Sequence, residues 1–145
     1  VQSASGITGI AHAIQLAVAP VFLLSGIGAM LAVMTNRLAR VIDRARVLEG
    51  QLRAGAGEAG PVRAQLATLS RRAALVGRSI TLCTITALLV CTVIAVLFLG
   101  AFLAFDTSVA VALLFIAAMC TFILGLLTFL REIFVATASL RIGAP

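Results

Sequence analysis

The chain has 145 residues, 62% of them hydrophobic and only 11% charged, with a mean hydropathy of +1.20. Soluble domains carry roughly 45–50% apolar and about 25% charged residues, so a water-soluble globular fold is excluded. The net charge of +6 is too localised to mark a nucleic-acid surface.

Charge is the organising feature. Residues 1–36, 79–105 and 107–130 contain no Asp, Glu, Lys or Arg, while residues 36–79 hold nine of the eleven arginines. A helix needs roughly 20 apolar residues to cross a hydrocarbon core. Three uncharged stretches therefore predict an all-α membrane protein with three transmembrane helices, in a single membrane domain covering residues 1–145. The expected spans are about 13–36, 79–105 and 108–130. Basic residues collect on the cytoplasmic side of spans. That rule places the 36–79 segment and the C-terminus on the cytoplasmic side, with the N-terminus and Asp106 outside. No basic segment opens the chain, so a cleavable signal peptide is not expected.

In chain order, residues 1–6 are small and polar and are expected to be disordered. Pro20 interrupts the first apolar stretch. Proline lacks an N–H and disfavours helix before it. It either kinks a span beginning near Ala13 or separates that span from an interfacial helix; the kinked span is favoured because residues 20–36 alone barely cross. His12 and Gln15 then sit at the outer interface. Ser25, Gly28 or Ala29, and Ala32 place small side chains on one face, as helices that pack in lipid do.

No breaker follows the first span. Leu38, Val41, Ala45, Leu48 and Leu52 continue it at 3,4 spacing, and Val62, Leu66, Leu69, Ala73, Val76 and Ile80 repeat the pattern after residues 54–61, a turn with three glycines and Pro61. Two heptad arms joined by a tight turn predict a cytoplasmic antiparallel helical hairpin over residues 37–78, an extension of the first two spans. Arg37, Arg40, Arg44, Arg71, Arg72 and Arg78 lie nearest the spans and are candidate contacts for anionic lipid head groups or a protein partner.

In the second span, Cys91 and Ala95 extend a small-residue face, and Thr84 and Thr92 give its cytoplasmic half a weakly polar character. Phe98, Phe102 and Phe105 mark its outer end. Asp106 is placed to cap the third helix. In the third span Phe115, Phe122 and Phe129 recur every seven residues, and Ala117, Thr121 and Gly125 follow small-xxx-small spacing. Arg131-Glu132 mark its inner boundary, and residues 143–145 end the helix. Cys83, Cys91 and Cys120 all fall within spans, without metal-ligand spacing, and read as packing residues.

No catalytic, cofactor-binding or metal-ligating constellation is expected: there is no P-loop, dinucleotide fingerprint or metal motif. The spans lack the ionisable residues that mark pumps and proton-coupled transporters. Two readings remain. One is a non-enzymatic protein acting through assembly, as a homo-oligomer or as an accessory subunit on a larger membrane complex. The other is a homo-oligomeric passive ion channel with Thr84 and Thr92 lining the pore and the arginine hairpin as a vestibule.

Residues 14–24 (Ile-Gln-Leu-Ala-Val-Ala-Pro-Val-Phe-Leu-Leu), 35–46 (Thr-Asn-Arg-Leu-Ala-Arg-Val-Ile-Asp-Arg-Ala-Arg), Arg71-Arg72, Leu82-Cys83-Thr84 and residues 129–134 resemble a family of small bacterial membrane proteins catalogued only as a domain of unknown function. The resemblance covers nearly the whole chain. It implies the three-span layout and a bacterial inner membrane, and carries over no catalytic residue.

Overall fold

In a computed structural model, which describes residues 2–141, the chain forms three helices. These are α1 (Gln2–Arg53), α2 (Ala59–Leu103) and α3 (Ser108–Arg141), and no strand occurs among the described residues. All three are long and apolar enough to cross a membrane. The expected end at residues 143–145 lies outside the described residues, as does Val1.

Two local expectations change. The segment expected to be disordered is helical from Gln2 onward. No glycine pair or proline stops a helix there, and Thr8 Oγ1 donates back to the Ala4 carbonyl at 2.8 Å. Helix α1 then runs through Pro20 without a break, as membrane helices allow, so no separate interfacial helix precedes the span.

The α1–α2 turn has a stated cause. Gly55 and Gly57 adopt φ of +66° and +96°, which L side chains rarely tolerate. Ala56 N–H donates to the Gln51 carbonyl at 3.2 Å and Gly55 N–H to the Leu52 carbonyl at 3.3 Å. This pair of bonds is a Schellman stop. Helix α2 resumes at Ala59, two residues before Pro61; proline is tolerated in a first turn, where its missing N–H has no partner to lose.

Two compact units exist: Val1–Met30 with Leu82–Ile123, and Leu31–Thr81 with Leu124–Pro145. Each draws on all three helices. In the second unit Val41, Leu48 and Leu69 form a buried cluster, with Ala45, Val62, Leu66 and Ala73 packed against it. These seven were all expected on the hairpin seam.

The seven-residue period extends well beyond the hairpin. On α1 it buries Ala13, Ile27, Met34, Val41 and Leu48, with Pro20 also buried at the position between Ala13 and Ile27. On α2 it buries Leu69, Val76, Cys83 and Val90, interleaved with Ser79, Thr86 and Val93. Ser79 rather than Ile80 carries the seam at the end of the second arm. On α3 it buries Ala118, Gly125 and Glu132. A repeat of 3.5 residues per turn keeps one stripe of each helix facing inward. The polar members bond locally: Ser79 Oγ donates to the Leu75 carbonyl at 3.0 Å and Thr86 Oγ1 to the Leu82 carbonyl at 2.9 Å. Large apolar side chains such as Phe22, Leu88, Phe102, Leu113 and Ile116 are exposed. In water such surface is an association site; on a spanning helix it meets lipid.

Candidate functional site

The third line of the heptad ends on a charge. Glu132 lies seven residues after Gly125, so the period that buries Gly125 also buries its carboxylate, which has no solvent exposure. A lone buried carboxylate is very costly, and two arginines meet it. Arg37 Nη1 on α1 donates to Oε2 at 3.0 Å. On α2, Arg72 Nε donates to Oε1 at 3.1 Å, and Nη2 lies 3.1 Å from the same oxygen. All three residues belong to the second unit. The Arg37 guanidinium also stands 5.5 Å from the Phe129 ring centroid, within cation–π range. Phe129 is one turn before Glu132, so one face of α3 supplies both contacts. No buried side-chain nitrogen or oxygen among the described residues lacks a hydrogen-bond partner.

Arg37 directly follows an uncharged stretch, and Glu132 stands two residues after another's end. Their pairing brings the ends of two apolar segments to one level. It binds α1, α2 and α3 together where the polar part of the chain begins.

Arg37, Arg40, Arg44 and Arg72, with Val41 and Leu69, line a cavity of about 220 Å³ in the same unit. Arg71 and Arg78 are exposed and do not line it. So the six arginines expected near the spans divide three ways. Arg37 and Arg72 are committed to Glu132. Arg40 and Arg44 face the cavity without an ion pair among the described residues. Arg71 and Arg78 remain on the surface.

The small residues also divide. Gly125 is buried and Thr121 half-buried. The Thr121 hydroxyl lies 2.9 Å from that of Thr86, joining α2 and α3 in the first unit. Gly28, Ala32, Cys91 and Ala95 are exposed, and a Cβ built on Gly28 meets nothing within 4 Å. The inward line takes Ile27 and Val90, one residue before Gly28 and Cys91. Thr84 and Thr92 are likewise exposed, and Thr92 Oγ1 is engaged by the Leu88 carbonyl at 2.8 Å.

At the α2–α3 turn, Asp106 Oδ1 accepts from the Ser108 hydroxyl at 2.6 Å and from the Ser108 N–H at 3.0 Å. The hydroxyl, then the N–H, hold this carboxyl below its ordinary range. The expected capping role of Asp106 is thereby formed.

Sequence reading missed the Glu132 cluster. Its members are 60 and 95 residues apart, and Glu132 has Arg131 beside it as a local decoy. The sequence signal for its burial is the seven-residue step from Gly125, which already stands on the small-residue line; that step does not name the partners.

Helices of this length and hydropathy, tied by a buried ion-pair cluster, define a multi-pass helical membrane protein. The family model described as "Protein of unknown function (DUF2721)" matches residues 17–142. The chain belongs to that family. No curated protein and no solved structure matches it.

Proposed function

We infer that this is a non-enzymatic membrane protein that acts through assembly, packing against copies of itself or against a larger membrane complex. One observation carries the reading: Gly28, Ala32, Cys91 and Ala95 lie exposed, and none is used by the chain's own helix seam. Small side chains let backbones approach closely in lipid, where van der Waals packing drives association. The reading includes a bacterial inner membrane, with the hairpin and C-terminus cytoplasmic, the N-terminus outside, and anionic head groups as lipid partners. Arginine bias supports that orientation.

The channel reading has less support. Thr92 satisfies its hydroxyl on its own helix, and a pore would need several copies to place Thr84 and Thr92 around one axis.

The experiment is sizing in mild detergent, with Gly28→Leu/Ala32→Leu as the variant. Assembly predicts a particle larger than one 15.0 kDa chain that the variant splits. A lone chain, or a particle indifferent to both leucines, contradicts the reading. For orientation, a single cysteine in residues 54–58 should react with an impermeant maleimide only from the cytoplasmic side.

A further inference from the structure

We propose that the cavity between the hairpin arms, lined by Arg37, Arg40, Arg44 and Arg72, is a binding site for a phosphate-bearing anion. Arg37, Arg40 and Arg44 follow 3,4 spacing and share a face of α1, and Arg72 meets them from α2. Like charges at this spacing are mutually destabilising. The Glu132 carboxylate balances one of the four guanidinium groups, leaving three positive charges around one small space. Asp43 and Glu49 are on the same helix, but neither lines the cavity.

The cavity is pre-organised for an anion. Arg37 is fixed by Glu132 and the Phe129 ring, and Arg72 by Glu132. An arginine held in place loses less freedom when it binds, and each guanidinium has five donors in a rigid fork suited to phosphate oxygens. Val41 and Leu69 supply apolar walls. The volume of about 220 Å³ is below the roughly 300–1,000 Å³ of small-molecule sites, so it suits a phosphate group better than a whole cofactor. The phosphate comes from a lipid head group or from a free anion, and the recognition chemistry is the same.

The site lies within one chain, so its test does not depend on assembly. The purified full chain in detergent is titrated with inorganic phosphate in one arm and with dioleoyl phosphatidic acid in the other, with dioleoyl phosphatidylcholine as the reference lipid. The readout is the shift in thermal unfolding. A shift with phosphatidic acid alone identifies a lipid phosphate, and a shift with inorganic phosphate identifies a free anion. Arg40→Gln/Arg44→Gln, which leaves the Glu132 pairs intact, should weaken the response at least tenfold. Arg71→Gln/Arg78→Gln, with the same charge loss outside the cavity, should leave it within twofold. The proposal is overturned if neither probe shifts the unfolding, if the Arg40/Arg44 variant responds like the parent, or if both pairs weaken the response equally.

Discussion

Arg72 Nε donates to Glu132 Oε1 at 3.1 Å across 60 residues of sequence, and this bond ties α2 to α3 at a fully buried carboxylate. With Arg37 on the other oxygen at 3.0 Å, three helices share one acceptor. Removing the carboxylate leaves guanidinium groups uncompensated, which for buried pairs costs roughly 3–5 kcal/mol. Because both arginines keep partial access to solvent, Glu132→Gln should lower stability by less than that range, about 1–3 kcal/mol, read by denaturing-detergent titration with helix content as the signal. Arg72→Gln should cost more than Arg37→Gln, because the Arg72 side chain is 22% exposed and that of Arg37 37%. An Arg37 loss of about 1 kcal/mol is expected where solvent screens the pair. The reverse order would mean that Arg37, not Arg72, anchors Glu132.

The hairpin depends on Leu48, which is 4% exposed and belongs to the cluster with Val41 and Leu69. Leu48→Ala should cost roughly 2–5 kcal/mol. Leu48→Asp combined with Leu66→Asp places two carboxylates in the seam and should open the arms. Limited proteolysis near residues 54–58 should then speed up by an order of magnitude or more. Unchanged proteolysis of the double variant would show that the arms do not depend on this seam.

These two regions differ in how much of them sequence reveals. The hairpin is legible because both arms carry apolar residues at 3,4 spacing against an arginine background, and because Gly55 and Gly57 mark the stop between them. Within the apolar spans that contrast disappears: Ile27 and Gly28 are both apolar, and composition does not say which faces inward. A helix turns about 100° per residue, so a single-residue step takes a small-residue stripe off the chain's own seam and leaves it open to another helix. Gly28 and Cys91 lie one residue beyond the buried Ile27 and Val90, whereas Gly125 lies on the line. The period was written in the hairpin, and extending it by sevens along α1 and α2 recovers Ala13 and Cys83, whereas α3 is a separate helix whose register the hairpin does not fix. The partner choice of Glu132 has no local signal, because it depends on helices meeting in space.

The α2–α3 turn holds an opposed pair of strains. Ala104 adopts φ of +56°, and its peptide neighbour Phe105 donates to the Gly100 carbonyl at 3.2 Å. A left-handed conformation costs a non-glycine residue about 1–2 kcal/mol. Ala104→Gly should therefore stabilise the protein, by about 1 kcal/mol or less once the greater freedom of unfolded glycine is counted. Gly100→Ala should do the opposite, because its Cβ would stand 2.7 Å from both Cγ2 and Oγ1 of Thr107. Overpacking of this kind costs roughly 1–3 kcal/mol. Thr107→Ala in the same chain removes both atoms and should recover most of the loss. Melting temperatures of the two single variants and the double variant check the set.

Asp106 gives the protein a defined acid limb. Its folded pKa is lowered by the Ser108 hydroxyl and N–H. Its contribution is therefore fully present above the ordinary aspartate value of about 3.9 and is lost as pH falls through the lower folded value. From neutral pH down to about 4 the cap should be constant, and below that it should weaken. Asp106→Asn keeps a side-chain oxygen but does not titrate. A melting-temperature series from neutral to strongly acidic pH should show the parent falling more steeply than Asp106→Asn at the acid end; parallel curves would remove the carboxylate from the account.

Assembly is tested most directly at Cys91, a native exposed thiol on the face that Ala95 continues. Cys83→Ser/Cys120→Ser leaves it as the sole cysteine. Membranes carrying this chain are treated with a short bis-maleimide before any detergent is added, then resolved by denaturing electrophoresis. The account predicts a Cys91-dependent band heavier than the 15.0 kDa chain, either at twice its mass or at its mass plus that of a partner, and reduced by Ala95→Leu. A single band at 15.0 kDa, with Cys91 still open to a monofunctional maleimide, would contradict it.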